Sequence, residues 1–558
     1  MEKFLVFSLV AAIVISCNTT NMKTEKELKA FLDTLEQKVK PAESDAALAS
    51  FNASVTGKTE EYQKSSDLNI VLSKIYADKT SFARLKAYKE SGNITDTLLL
   101  RQVNVLYNTF LSNQVDEKKL EELIKEQTKL EQRYSTFRAA VDGKKLTDNE
   151  IETILKNSVS SRELEKCWTA SKQIGDSVAA GVIGLVKMRN EIARELGFSN
   201  YQEMSLRLSD QDPGQIEKIF DELDSLTRGT FAELKAEVDA VLARKYNVEP
   251  GALMPWHYQN RFFQEAPAIY NVDLDNYYKG KDVVQLARDY YSGIGLDVTG
   301  ILAKSDLYEK EGKYQHAYCT DIDRSGDVRI ICNIKNNNQW MNTILHELGH
   351  GVYDKYIDMT LPYFLRTPAH TFTTEAIAML FGRLSSNPAW LQDNVGIPAE
   401  EAGRISTGLA NNSRLEQLVF SRWCQVMFRF EKSMYANPDQ DLNKLWWDLV
   451  EKYQLLKKPQ GRNHADWASK IHVALYPCYY HNYQLGELLA SQLQAYIKTH
   501  MLNTDAGRVS GLSKNPAVGS YLIENVFRPG ARYQWNDMIK RATGEELTAK
   551  FYAAEFIK

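Results

Sequence analysis

The sequence predicts a mainly α-helical protein of two lobes with one small β-sheet. Three observations predict it. Apolar residues recur at helical spacing through most of the chain, in stretches such as VDEKKLEELIKEQTKLEQRYSTF at 115–137. One aromatic stretch with three prolines, VEPGALMPWHYQNRFFQEAP at 248–267, breaks that pattern and suits an irregular join between lobes. The one convincing β region, 313–335, runs straight into a further helix.

Composition narrows the functional classes. The chain has 558 residues, enough for several domains or for one large helical body. A hydrophobic fraction of 44% and a charged fraction of 25% are those of a soluble globular protein. The net charge of −4 carries no basic footprint, which argues against a nucleic-acid partner. Tyrosine at 29 and tryptophan at 9 fit a cleft lined with rings and hydroxyls, and fit an ordinary core as well.

Residues 1–17 are expected to be a leader. Lys3 precedes the run Phe4 to Ile15, apolar except for Ser8 and too short to span a bilayer. Val14-Ile15-Ser16-Cys17 resembles a bacterial lipobox, so Cys17 is the expected lipid anchor and the chain is expected to be exported. An ordinary cleaved signal is the alternative, because Glu2 cancels Lys3. A polar tether follows at 18–30, beginning NTTNMKTEKE. The body is then 31–558, divided into an N-terminal helical lid region at about 31–170 and a catalytic region at about 171–558. The other cysteines (Cys167, Cys319, Cys332, Cys424 and Cys478) are odd in number and imply no disulfide framework. Cys319 and Cys332 flank the predicted hairpin and could bridge or stay free.

The pattern is helical almost throughout from Thr24 to Leu155, and a long helix is expected over Ser171 to Leu196. Residues 213–245 and 282–291 read as further helices. In the β region KYQHAYCT and DVRIICNIK are strand-like, joined by a turn at Asp323-Arg324-Ser325-Gly326. An exposed strand there could pair with an extended peptide through main-chain hydrogen bonds. AHTFTTEAIAMLFGRL opens another helix, with Thr371, Thr373 or Thr374 as cap candidates. Helices continue over 399–456 and from Asp466 to Ile497, separated by the loop 457–463. Two short helices close the chain.

The chemistry centres on 336–358, NNNQWMNTILHELGHGVYDKYID. It contains His346-Glu347-Leu348-Gly349-His350, the HExxH pattern. Histidines four apart stack on one helix face and can grip one metal ion from the same side. Glu347, beside the first of them, can reach a water activated by the metal without becoming a ligand. Asn336, Asn337 and Asn338 offer caps, and Trp340, Ile344, Leu345, Leu348 and Val352 give an apolar side. Zinc held by two histidines needs one more protein ligand and leaves the fourth place to water. Glu375, 29 residues after His346 and expected on the first turn of the next helix, is the candidate. A carboxylate at that place is otherwise a routine partner of the helix dipole.

Thr374-Glu375-Ala376-Ile377-Ala378 after HELGH resembles zinc peptidases of the angiotensin-converting enzyme family and of the related thimet oligopeptidase and oligoendopeptidase family. His316-Ala317, 30 residues before His346, resembles the converting-enzyme pair that holds the substrate backbone. Leu445-Trp446-Trp447-Asp448-Leu449 and Lys452-Tyr453-Gln454 look like the same family's WW and KYQ stretch. Lys470-Ile471-His472 resembles its Lys-x-His, which implies that Lys470 receives a C-terminal carboxylate and that His472 contacts the transition state. The segment from His472 resembles the oligopeptidase His…Tyr…Tyr stretch, matching Tyr476, Tyr480 and Tyr483; one of the last two is implied as the oxyanion donor. The pattern departs where the converting enzymes follow their EAI with a glycine and an acidic residue, since Ala378 and Met379 stand there. Asp354, one turn after His350, is the expected replacement for that acid. Tyr479 or Asn482 stands where chloride-activated enzymes carry an arginine, which argues against chloride activation.

The resemblance therefore implies a gluzincin metallopeptidase with one zinc ion and a deep central channel between its lobes. Its substrates would be short peptides, released as C-terminal dipeptides or cut internally, and it would act as a monomer touching the membrane only through Cys17. The contrasting expectation is a lipoprotein that binds peptides without hydrolysing them.

Overall fold

The computed structural model describes residues 2–270, 272–502 and 511–557, with side chains from 21 onward. The leader and the Cys17 side chain thus lie outside the described side chains. Helices make up 71% of the chain, and the sheets among the described residues are two small antiparallel hairpins. Among the described residues no helix is long and apolar enough to cross a membrane. Cys167, Cys319, Cys332, Cys424 and Cys478 are all free thiols.

The chain forms two compact units, and both are discontinuous in sequence. The first comprises Met1–Gln114, Gly280–Gly382 and Leu512–Glu546; the second comprises Val115–Lys279, Arg383–Gly511 and Leu547–Lys558. The expected division near residue 170 coincides with no boundary of either unit. The irregular stretch 248–267 lies wholly inside the second unit rather than joining lobes.

In the first unit the long helix Glu2–Thr56 serves two clusters. Leu28, Phe31, Leu32, Leu35 and Val39 pack with Leu85, Val103, Leu106 and Phe110 from the following helices, and with Tyr363 and Phe364. Further along, Phe51 packs on Ile322 and Ile331 of the second hairpin. Strand β3 of that hairpin (Tyr318–Asp321) pairs antiparallel with β4 (Val328–Ile331), Cys319 opposite Ile330. The turn falls where the sequence places it. Asp321 Oδ1 accepts from the backbone N–H groups of Asp323 and Arg324, and Arg324 and Gly326 take positive φ of 51° and 100°.

The helix carrying both histidines spans Asn338–Lys355, capped by Asn337, whose side chain accepts from the Trp340 N–H. Ile344, Leu345, Leu348 and Val352 are fully buried. It packs against the hairpin and against the helix Thr371–Gly382.

The second unit is built around Ser161–Glu195, which starts ten residues earlier than the sequence suggests, at the cap Ser160. A hairpin that periodicity did not reveal precedes it: β1 (Ala139–Val141) with β2 (Lys144–Leu146). Its Asp142-Gly143 turn has φ of 49° and 82°, the two positive values a tight two-residue hairpin needs. The expected helix from Asp466 to Ile497 is also broken. A 3-10 turn at Asp466–Ser469 and a short helix at Ile471–Leu475 precede the helix Tyr480–His500. Pro477 stops the run, because it lacks an N–H and its ring clashes with the preceding turn. Cys478 then takes φ 57°, its N–H donating to Glu431 Oε1 at 2.8 Å.

Candidate metal centre

The close approach of the two helices in the first unit makes this site. Gly349, inside the HELGH sequence, meets the Thr371–Gly382 helix backbone to backbone: a Cβ there would lie 2.7 Å from Ala378 Cα. Asn342, one turn before His346, adds a tie by donating from Nδ2 to Gly382 O at 2.8 Å. Glu375, fifth residue of its helix rather than in the first turn, is thereby brought to both histidines. Its Oε2 is 3.7 Å from His346 Nε2 and 3.9 Å from His350 Nε2. One donor atom from each of the three residues lies within 4.8 Å of the others.

Burial holds the His346 imidazole down to about 4, and burial with the neighbouring His346 charge holds His350 down to about 3. Both rings are therefore neutral at pH 7, the form that has a lone pair for a metal. Two neutral imidazoles and a carboxylate, with a fourth place left open, are a donor set that fits zinc. Glu347 is buried, at 6% exposure, and the Cys319 backbone N–H of β3 favours its carboxylate form. Burial and the Glu375 charge push its carboxyl up to about 8. A cation among the ligands would act the other way and favour the carboxylate.

Asp354 is not the partner of the metal histidines. Burial and the Asp321 charge push its carboxyl up, and Arg324 is the cation near it. The rear nitrogen of His350, Nδ1, instead lies 2.8 Å from Thr374 Oγ1. His316 is exposed, its ring 5.4 Å from that of Tyr314, and Ala317 leads into β3. Asn333 fixes this loop by donating to the carbonyls of Tyr314 and Gln315, both at 3.1 Å.

The other expected site residues gather in the second unit. The His472 ring lies 5.6 Å from Tyr476 and 5.0 Å from Tyr480, and Tyr480 lies 5.4 Å from Tyr483. Tyr480 is buried, whereas Tyr476 is 57% exposed and so is not core. Burial and the Lys470 charge hold His472 down to about 4, and its buried Nδ1 has no hydrogen-bond partner among the described residues. Gln211 anchors this helix start: its Oε1 accepts from His481 Nε2 at 2.8 Å and its Nε2 donates to Asn482 Oδ1 at 2.9 Å.

Lys470 Nζ donates to Gln264 Oε1 at 2.6 Å and sits 5.3 Å over the Tyr480 ring. Burial and the Arg261 charge hold it down to about 8. It lines a cavity of about 560 Å³ with Arg138, Glu152, Asn260, Arg261 and Gln264. Gln264 gave no signal in the sequence, lying in an irregular aromatic stretch. His257 in the same stretch is held structurally: Nδ1 accepts from the Met254 N–H at 2.9 Å and Nε2 pairs with Ser161 Oγ at 2.8 Å.

Known proteins match along most of this chain. The model of peptidase family M3 matches residues 154–557, and that of angiotensin-converting enzyme matches residues 22–259. The chain is 23% identical over 449 residues to angiotensin-converting enzyme of Mesocricetus auratus, covering 74% of this chain and 34% of that protein. For the Mus musculus enzyme the values are 23% over 433 residues, with 71% and 32% covered. An inactive angiotensin-converting enzyme-related protein of Caenorhabditis elegans is 20% identical over 366 residues, with 58% and 40% covered. The chain spans a third to two fifths of the length of these curated relatives. Because the first match takes in the HExxH helix, Glu375 and the tyrosine helix within most of the chain's length, this chain belongs to peptidase family M3.

Proposed function

We propose that this protein is a zinc peptidase that hydrolyses short peptides and releases C-terminal dipeptides. One observation carries the reading: three donor atoms of His346, His350 and Glu375 within 4.8 Å, with the Glu347 carboxylate beside them. Zinc, when bound, supplies a Lewis acid that acidifies water and polarises the scissile carbonyl. Glu347 takes the water's proton and passes it to the leaving amine. In this reading His472 and a tyrosine hydroxyl, from Tyr480 or Tyr483, donate to the developing oxyanion. Each well-placed donor is worth about 2.7–4 kcal/mol. His316, Ala317 and the β3 edge hold the substrate backbone, and Tyr476 borders the bound peptide.

Lys470 supports the dipeptide-releasing form. Gln264, its hydrogen-bond partner, is neutral, so the lysine charge in the cavity is available to a terminal carboxylate. The test compares one peptide with a free and with an amidated C-terminus. Amidation is expected to lower kcat/KM at least tenfold, and Lys470→Met is expected to erase the difference. Equal cleavage of both peptides by the wild type would leave an oligoendopeptidase.

The proposal extends to an exported chain carrying its lipid at Cys17, on the pattern of residues 1–17. Labelled palmitate is expected in the wild type and absent from Cys17→Ala. An unlabelled wild type would remove the anchor and leave the peptidase reading intact.

A further inference from the structure

The His350 ring is engaged at both nitrogens. Nε2 faces Glu375 Oε2 at 3.9 Å, and Nδ1 lies 2.8 Å from Thr374 Oγ1. A ring that offers Nε2 to a metal needs its lone pair there, so its proton sits on Nδ1. In that tautomer Nδ1–H donates and the Thr374 hydroxyl oxygen accepts. We propose that Thr374 is a positioning residue of the metal site, its hydroxyl fixing the tautomer and plane of His350. The inference rests on His346, His350 and Glu375 being the ligand set.

The helix geometry explains how one turn can do this. Thr374 immediately precedes Glu375, and neighbouring side chains on a helix diverge by about 100°. The carboxylate reaches the front nitrogen of His350 while the hydroxyl reaches the rear one. A β-branched threonine has few χ1 choices, so its oxygen is delivered with little rotamer freedom to lose. A metal-binding histidine whose second nitrogen is hydrogen-bonded is held in place and made a better donor. A hydroxyl achieves this without adding charge. A carboxylate in the same place would bring a further negative group close to Glu347 and Glu375, where burial already disfavours ionisation.

Thr374→Val keeps the shape and removes the acceptor, whereas Thr374→Ser keeps the acceptor and removes the methyl. Zinc affinity and release are read by competition with a chelator, in the full chain and without substrate. The valine variant is expected to bind zinc about 10–100-fold more weakly, the range found when such a partner is lost. The serine variant is expected to bind as the wild type does. Wild-type affinity in Thr374→Val, or equal weakening in both variants, would overturn the proposal, the second result assigning the effect to packing. Should circular dichroism show the valine variant unfolded, Thr374→Ala against Thr374→Ser makes the same comparison. His350→Ala, run alongside, separates the two layers of the argument. Zinc lost from it, with Thr374→Val unaffected, overturns only the role of Thr374; zinc retained by it overturns the ligand set.

Discussion

Glu347→Gln is expected to lose peptide hydrolysis while keeping one zinc ion per chain. The two effects separate because Glu347 stands beside the ligands and is not one of them. His346, His350 and Glu375 keep their donor atoms in the variant, so the metal has the same three protein partners. The Gln side chain is an amide with the shape of the native carboxylate. What the amide lacks is a site for the water's proton. Loss of a positioned general base costs about 10²–10⁴ in rate, so kcat is expected to fall by about a thousandfold. Folding is not expected to suffer. Burial and the Glu375 charge disfavour the native carboxylate, and a neutral amide of the same shape escapes both. Metal analysis and a melting curve accompany the assay. A variant as active as the wild type would sink the mechanism, and so would a wild type that binds no zinc.

The sequence carried this much of the site because an i, i+4 pair converts directly into geometry. Spacing alone placed His346, Glu347 and His350, and the cap at Asn337 fell within the expected trio of asparagines. Glu375 was different. A separation of 29 positions from His346 fixes no distance, and its selection rested on the need for a third ligand and on the resemblance of its flanking residues. Thr374 escaped because a threonine near a helix start is ordinarily a cap candidate, and nothing local says that its oxygen faces another helix. The β1–β2 hairpin was lost inside a region read as helical. Its strands are three residues long, too short for alternation to show, although Asp142-Gly143 is a recognisable turn pair. Pro477 is a helix breaker that the expected helix from Asp466 to Ile497 did not take into account. The interleaved units were beyond reach, because which distant segments pack together is decided by shape rather than by local pattern.

Gly349→Ala is expected to cost both stability and zinc, whereas Gly382→Ala, in the same helix pair, is expected to be mild. The difference lies in what an added methyl meets. At residue 349 it would stand 2.7 Å from Ala378 Cα, 3.0 Å from Ala378 N and 3.1 Å from Ile377 O, all main chain of the opposite helix. Backbone cannot step aside as a side chain can, so the helices must separate. At residue 382 the nearest atoms are His346 Cβ at 3.4 Å and Asn342 Nδ2 and O at 3.5 Å, near ordinary contact. Overpacking of the first kind costs about 1–3 kcal/mol. The larger consequence is chemical. The same contact sets how close Glu375 comes to the histidines, and metal–ligand distances tolerate only about 0.2 Å. A separation of even half an ångström therefore exceeds what zinc accepts, and its affinity is expected to fall by at least the 10–100-fold seen when a ligand loses the hydrogen-bonded partner that holds it. Adding Ala378→Gly to Gly349→Ala should rescue little, since the obstructing Cα and N remain. Wild-type zinc affinity in Gly349→Ala would show that the helix contact does not govern the site, and rescue by Ala378→Gly would show that the obstruction is a side chain.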